Sequence, residues 1–146
     1  MKITTKTRYG LRLILNLALS YGRGPALLSK IAKRENISQK YLGQIIIPLK
    51  VAGVISSVRG AKGGYMLNNL PSKITVKDIV EILQGNLDFV KEGNGFTSGS
   101  KTFFCIRHLV WKKLQENISE TLRDITLEDL VREYSQNEKN GVMYNI

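Results

Sequence analysis

Two side chains in the C-terminal half have the chemistry to bind a metal or to react with an oxidant. Cys105 and His108 are the only thiol and the only imidazole of the 146-residue chain, and they stand three positions apart. Residues at this spacing share one face of a helix, so both side chains can meet one ligand. An iron–sulfur site generally needs four strong ligands, and this chain can supply them only by pooling the residues of two copies. Three interpretations stay open: a pair of metal or cluster ligands, a redox-sensitive thiol, and ordinary packing residues.

The sequence contains no arrangement of residues typical of an enzyme. It has no phosphate-binding loop, no His-Glu-x-x-His and no nucleophile motif. The segment 60–64 combines glycines with a lysine, but it follows a predicted strand and opens no helix. A single cysteine excludes an internal disulfide and favours a reducing compartment, and no segment has the apolar length of a membrane span. We therefore predict a cytoplasmic protein that is neither an enzyme nor a membrane protein.

Positive charge is concentrated in the first half of the chain. Residues 1–73 contain 13 basic side chains and one acidic one, for a net charge of +12, whereas residues 74–146 carry a net charge of −2. A surface with this much positive charge is destabilised by its own repulsion unless a polyanion lies nearby. Nucleic acid is the usual polyanion, because each neutralised phosphate releases condensed counterions. A solubilising surface or attraction to anionic lipid is the weaker alternative.

Helical spacing of apolar residues predicts three short helices in this basic half. The first begins at Thr4 or Thr5, either of which can act as a cap, and the second covers about 27–34. Ser38 is positioned to cap the third helix. Pro48 predicts a kink or an early end of that helix, because proline removes one backbone donor. The order of helix, turn and helix is typical of a helix-turn-helix.

A β-hairpin is predicted after the third helix. The segment 54–58 is short and rich in β-branched residues, which predicts a strand. The glycine-rich segment 59–64 is expected to form a turn, and residues 65–67 to form the second strand. Thr75 then caps a fourth helix that ends at Gly85. The predicted fold class is therefore mostly α with a small β-hairpin wing, a winged helix-turn-helix joined to a long dimerisation helix.

The third helix and the hairpin tip carry the predicted contacts with double-stranded DNA. An α-helix fits the major groove, where Gln44 can bind adenine through two hydrogen bonds and Lys40 can reach guanine or phosphate. Arg59 and Lys62 stand on a tip thin enough to enter a minor groove, whose focused negative potential favours arginine. The other residues expected to contact phosphates or to flank these positions are Lys6, Arg8, Ser38 and Gln39.

The C-terminal half is predicted to hold two chains together. The predicted division is a DNA-binding domain at 1–84, a loop at 85–101, and a dimerisation region at 102–146 that contains a long helix, about 102–124. Thr126 begins a capping box that opens a last helix, and the tail 143–146 could pair or stay loose. Apolar residues form a stripe along the long helix that needs a partner: Ile106, Leu109, Val110, Leu114, Ile118 and Leu122. A homodimer covers this stripe.

Several of these segments resemble the Rrf2 family of small winged-helix transcription regulators, which includes iron–sulfur cluster regulators and repressors of cysteine metabolism. The resemblance covers nearly the whole chain, and its wing motif is highly specific. It is carried by Tyr9-Gly10, by Ser38 with Tyr41-Leu42-Gly43-Gln44, by Val58–Tyr65 and by Ile125–Leu130.

The resemblance implies a repressor that binds a palindromic operator as a homodimer. It implies that Gln44 contacts bases, that Arg59-Gly60 enters the minor groove, and that Tyr41 belongs to the DNA-binding set. Some members carry a glutamate, which can accept from cytosine, where this chain has Gly43. The family therefore implies no base preference at this position of the operator.

The resemblance also bears on a cofactor. In cluster-binding relatives the long helix begins with a similar Cys-x-x-His, preceded by two more cysteines in the loop. The matching positions here, near Gly93 and Gly99, have no thiol. We expect no cofactor in this chain, and a [2Fe–2S] cluster only in a form with more loop cysteines.

A protein-interaction module is the competing functional interpretation. In that interpretation the basic half binds an acidic partner enzyme, and since some relatives are controlled by such a partner, the two functions can coexist. An RNA-binding role is a variant, but RNA-binding proteins usually display stacking aromatics on an open sheet. Tyr41 and Tyr65 are isolated here, which favours packing roles.

Overall fold

The structure is a computed structural model that describes residues 2–87 and 100–141. The predicted loop residues Gly93 to Gly99 and the tail 143–146 lie outside the described residues. The elements in chain order are α1 (Thr5–Leu19), α2 (Leu28–Glu35), α3 (Gln39–Val51), β1 (Ile55–Val58), β2 (Gly64–Leu67), a 3₁₀ turn (Pro71–Lys73), α4 (Val76–Gln84), α5 (Lys101–Ile106), a π-helical turn (Arg107–Trp111), α6 (Lys112–Asp124) and α7 (Leu127–Lys139). The prediction of a mostly helical fold with one β-hairpin is confirmed.

Local caps define the helix-turn-helix. The Thr4 side chain accepts a hydrogen bond from the Thr7 amide at 3.1 Å and begins α1. Asn36 adopts a left-handed conformation, with φ of 54°, and ends α2. The Ser38 hydroxyl then accepts from the Tyr41 amide at 3.2 Å and begins α3, as predicted. Because the N-caps satisfy amides and the C-cap satisfies carbonyls that a helix leaves unpaired, the turn between α2 and α3 is short and well defined.

One apolar core holds together residues 2–84, which we call the head. Its buried side chains come from the inner faces of α1, α2, α3 and α4, from both strands of the hairpin and from the start of α7. The described members with almost no exposed surface are Leu13, Ile14, Leu17, Leu42, Ile45, Leu49, Ile55, Ile79 and Leu127. Since α3 and the hairpin share this core, the two predicted DNA-binding elements belong to one packed unit.

Of the two outcomes predicted for Pro48, a kink or an early end of α3, the early end is wrong. The helix continues through Val51, and the Pro48 carbonyl accepts a hydrogen bond from the Ala52 amide at 3.0 Å. Leu49 is fully buried one residue after the proline. Tertiary packing of this inner face therefore outweighs the loss of one helical hydrogen bond.

The C-terminal half contains one continuous rod and a returning helix. Backbone angles stay helical through Arg107 and Lys112, so α5, the π-helical turn and α6 run on without a break, close to the predicted 102–124. The π-helical turn was not predicted. None of the helices within residues 2–87 and 100–141 is long and apolar enough to cross a bilayer.

The last helix packs back on the head. Its predicted capping box is confirmed: the Thr126 side chain accepts from the Asp129 amide at 3.1 Å, and the Asp129 carboxylate accepts from the Thr126 amide at 2.9 Å. These bonds from Thr126 hold the pKa of Asp129 below its ordinary value. The Leu127 amide also donates to the Ile74 carbonyl at 2.9 Å, so the start of α7 is built into the head's core.

Candidate nucleic-acid interface

Four residues share the outer face of α3, the side turned away from the core. Lys40, Gln44, Ile47 and Val51 are spaced by four, three and four positions and are all exposed. The side chains of Gln39, Lys40 and Gln44 have no hydrogen-bond or ion-pair partner among the described residues. Their polar groups are therefore available to a ligand. Ile47 was not singled out by the sequence analysis, because an apolar residue in a helix is usually expected to face the core.

The first turn of α3 has a different character. The Ser38 oxygen caps the helix, and its hydroxyl hydrogen is left to donate outward. Tyr41 is half-buried and packs edge-on against Tyr9, with ring centroids 5.9 Å apart. The Tyr41 ring therefore helps to fix the entry of α3 against α1.

The hairpin has the form of a wing. Its strands pair in antiparallel register from Ile55 opposite Leu67 to Val58 opposite Gly64. At the tip, Arg59, Gly60 and Lys62 are exposed, and the Gly63 amide donates to the Gly60 carbonyl at 3.0 Å. Neither cationic tip side chain has a partner in the described part of the chain. The tip is thus a narrow, basic projection.

Two contacts that the sequence analysis missed hold the wing in place. Ala26, in the segment between α1 and α2, exchanges both backbone hydrogen bonds with Tyr65, at 2.8 and 2.9 Å. A side chain at Gly64 would place its Cβ 2.3 Å from the Ala26 carbonyl oxygen, so this close approach requires glycine. The Lys50 ammonium also donates to the Ser57 hydroxyl at 3.2 Å and links the end of α3 to β1.

Lys6 and Arg8, the predicted phosphate contacts near the N-terminus, lie in a segment that is fixed by α4. The side-chain amide of Gln84 accepts from the Thr4 amide at 3.0 Å and donates to the Lys2 carbonyl at 2.7 Å. Arg8 is exposed and donates to the Thr5 hydroxyl at 3.0 Å, whereas Lys6 is half-buried. Two polar contacts far apart in sequence therefore position the start of α1.

A polar network joins α1 to α2 behind the helix-turn-helix. The buried Asn16 amide donates to the Glu35 carboxylate at 2.9 Å, and its oxygen accepts from Arg34 at 2.8 Å. Glu35 also accepts from Arg12 at 2.9 Å, and that guanidinium lies 5.5 Å from the centroid of the Tyr9 ring. Glu35, the single acidic residue of the basic half, thus pairs with Arg12, and Asn16 ties Arg34 into the same network.

Removing the centre of this network is expected to destabilise the head. Asn16→Ala leaves the Arg34 guanidinium and one Glu35 oxygen without their partner, so the free energy of unfolding should fall by about 1–3 kcal/mol. Urea denaturation measures the change. Asn69→Ala, at an exposed position, is the matched control and should alter stability by less than about 0.5 kcal/mol. Equal stability of the two variants would contradict a structural role for the network.

The two predicted metal ligands lie on the first part of the rod. Cys105 is exposed in α5, and His108 is exposed in the π-helical turn. No group of three or more histidine, cysteine or acidic side chains suitable for a metal occurs among the described residues. One thiol and one imidazole per chain do not fit the four-ligand set of an iron–sulfur cluster.

The stripe along the rod divides into two parts. Its first part, at Ile106, Leu109, Val110 and Leu114, is exposed, together with the neighbouring Trp111. Ile118 and Leu122 are half-buried and line a cavity of about 290 Å³ between α6 and α4 of the same chain. The exposed part is the apolar surface that the described residues of this chain leave uncovered.

Comparisons with known proteins match nearly the whole chain. The family model Rrf2, an iron-dependent transcriptional regulator, matches residues 3–133. The regulator CymR of Bacillus subtilis (strain 168) is 37% identical over 146 residues, the full length of both chains. The regulator IscR of Klebsiella pneumoniae (strain 342) is 36% identical over 132 residues, 90% of this chain and 80% of IscR. The solved structure of CymR, the global cysteine regulator of B. subtilis, matches with a TM-score of 0.81 and 38% identity, over 91% of this chain and 98% of that one.

Proposed function

The chain belongs to the Rrf2 family of transcriptional regulators, and on this premise we propose that it is a repressor that binds a palindromic DNA operator as a homodimer. Membership confirms the resemblance found in the sequence and the prediction that the protein is a DNA-binding regulator and not an enzyme. A repressor acts where the chromosome is, so the proposal includes a cytoplasmic location in a bacterium.

One observation carries the proposal: polar and cationic side chains that have no partner among the described residues occupy both the outer face of α3 and the wing tip. They lie in the half of the chain with net charge +12. A surface cation that is not paired within the protein retains its full attraction for phosphate and adds to the salt-dependent part of DNA affinity. The shared core and the bond between Lys50 and Ser57 favour α3 and the wing acting as one rigid unit.

Each element has a distinct role in the proposed complex. α3 enters the major groove, where Gln44 pairs with adenine and Lys40 contacts guanine or phosphate. Arg59 and Gly60 enter the adjacent minor groove, and Lys62 contacts the flanking phosphates. Ser38, Gln39 and Tyr41 at the start of α3, with Lys6 and Arg8 of α1, complete the contact to the backbone.

The second chain supplies the other half of the complex. The exposed part of the stripe, from Ile106 to Leu114, is contiguous and apolar, and a twofold partner presents the same surface to it. Two heads joined through this rod offer two copies of α3 to successive major grooves, about 34–36 Å apart. The palindromic operator follows from this twofold symmetry.

We propose that this regulator works without a cluster, although its family is described as iron-dependent. Protein purified without oxygen should show no visible charge-transfer absorption and less than one iron per dimer, because a single chain supplies only Cys105 and His108. Absorption spectroscopy and iron analysis measure both quantities. Stoichiometric iron that is lost in a Cys105→Ala variant would contradict this part of the proposal.

Selection from a randomised duplex pool tests the proposed function. The full-length protein should enrich a short sequence with twofold symmetry, and duplex DNA should compete for it far better than an RNA hairpin of equal length. Enrichment of no sequence, or equal competition by RNA, would contradict an operator-binding repressor.

A further inference from the structure

The outer face of α3 contains two apolar side chains, Ile47 and Val51, and Ile47 is the one that lies next to the predicted polar contacts. Ile47 is 62% exposed and lies three residues after Gln44 and seven after Lys40. Seven residues of α-helix rise about 10 Å, which is within the width of a major groove, about 12 Å. If Lys40 and Gln44 face base edges, Ile47 faces the same groove.

The space beside Ile47 is open on its N-terminal side. A Cβ placed on Gly43 would meet no atom within 4 Å, so no packing contact inside the protein requires glycine at this helical position. Side chains on a helix lean toward its N-terminus, and Ile47 therefore leans over the turn that contains Gly43. The Ile47 side chain and the bare backbone of Gly43 form a shallow apolar step, which we name the 43/47 notch.

The chemistry of the major groove identifies what fits this notch. Base edges present hydrogen-bond donors and acceptors there, and the only apolar group among them is the C5-methyl of thymine. A β-branched side chain beside a bare helix backbone can cover a methyl group without leaving a polar atom unsatisfied. The adjacent Gln44 is suited to adenine, so a thymine next to that base pair brings its methyl to the notch.

We infer that Ile47, with the open backbone of Gly43 beside it, is a specificity-determining residue that contacts the C5-methyl of a thymine adjacent to the base pair bound by Gln44. This inference rests on the proposed function. It adds an apolar contact to the hydrogen bonds of the operator complex and explains why a helix-weakening glycine occupies this face.

Replacing thymidine by deoxyuridine tests the contact, since thymine and uracil differ only in the C5-methyl group. In a duplex enriched by the full-length protein, one such change in each half-site should weaken wild-type binding about fourfold per half-site, the value of one buried methyl. Ile47→Ala should bind the thymine duplex more weakly and should no longer distinguish the two bases.

Gly43→Ala provides a reciprocal test, because its added methyl fills the notch. This variant should lose affinity for the thymine duplex and regain it when deoxyuridine occupies the same position. Val51→Ala is the matched control: Val51 is 84% exposed on the same face, one turn farther along, and its removal should leave the ratio of the two affinities unchanged. Thermal unfolding should be unaffected in Ile47→Ala because the side chain is exposed.

The outcomes separate the inference from the proposed function. Wild-type protein that is indifferent to deoxyuridine at every thymine, or a thymine preference that survives in Ile47→Ala or Gly43→Ala, would overturn the methyl contact and leave the repressor proposal intact. Failure to enrich any duplex in the preceding selection would instead overturn the repressor proposal and the inference with it.

Discussion

Replacing Val110 and Leu114 together by glutamate is expected to convert the dimer into a monomer and to weaken operator binding by about 10²–10⁴-fold. Both side chains are exposed in the single chain and lie four residues apart on the stripe. In a dimer, four carboxylates would be brought into an apolar interface without partners, which costs more than the interface contributes. A monomer then binds one half-site and loses the advantage of the linked second head.

Light scattering after size exclusion measures the mass, and titration of the enriched duplex measures the affinity. Lys112→Glu is the control, because it changes the net charge by the same two units at an exposed position on the opposite side of the rod. The control should remain a dimer and lose only the small electrostatic part of its affinity. A double variant that stays dimeric would show that the stripe is not the interface.

Arg59→Ala is expected to lower operator affinity by about 1–3 kcal/mol, or roughly 5- to 150-fold. Arg59 is exposed at the wing tip and makes no hydrogen bond or ion pair within the described residues. Its removal therefore costs the folded chain nothing, and the whole effect should appear in DNA binding. A narrow minor groove concentrates negative potential, and arginine is the side chain that exploits it.

The same titration, combined with thermal unfolding, tests this prediction. Arg107→Ala, in the π-helical turn of the rod, removes an exposed arginine outside the head and should bind the operator as tightly as the parent. Lys62→Ala should weaken binding to all DNA sequences alike. It should also reduce the slope of log affinity against log salt concentration by about one. If Arg59→Ala bound the operator with the parent's affinity, the wing would have no place in the minor groove.

Features encoded by neighbouring residues could be predicted from the sequence. The four predicted caps are present because a cap hydroxyl accepts a hydrogen bond from the amide three residues later. This bond is local and does not depend on the rest of the chain. These caps are Thr4, Ser38, Thr75 and Thr126. Periodicity likewise separated the buried face of α3 from its polar face, since one side of a helix must cover the core.

Features that depend on distant residues could not be predicted. The pairing of Ala26 with Tyr65, the clamp made by Gln84, and the contacts of Asn16 join positions separated by 18 to 82 residues. A single sequence does not show which polar side chains meet across such distances. The continuation of α3 past Pro48 also depends on the core, because local propensity alone favours a break there.

The candidate site was predicted only where its chemistry is polar. Gln44 and Arg59 were recognised because their side chains have evident partners on DNA. Ile47 was passed over, since an isoleucine on a helix is expected to be buried, and its exposure is known only once α3 is packed. The tertiary structure, and not the residue type, makes it a candidate for base contact.

Titration of the dimer with its enriched duplex and with a scrambled duplex of equal length, between 50 and 200 mM salt, shows directly whether the protein binds a specific DNA sequence. We expect binding to the enriched duplex to be at least about 10³-fold tighter than to the scrambled one, and both affinities should fall steeply as salt rises. Equal affinity for the two duplexes, or an affinity that salt leaves unchanged, would contradict a regulator that binds its operator through base and phosphate contacts.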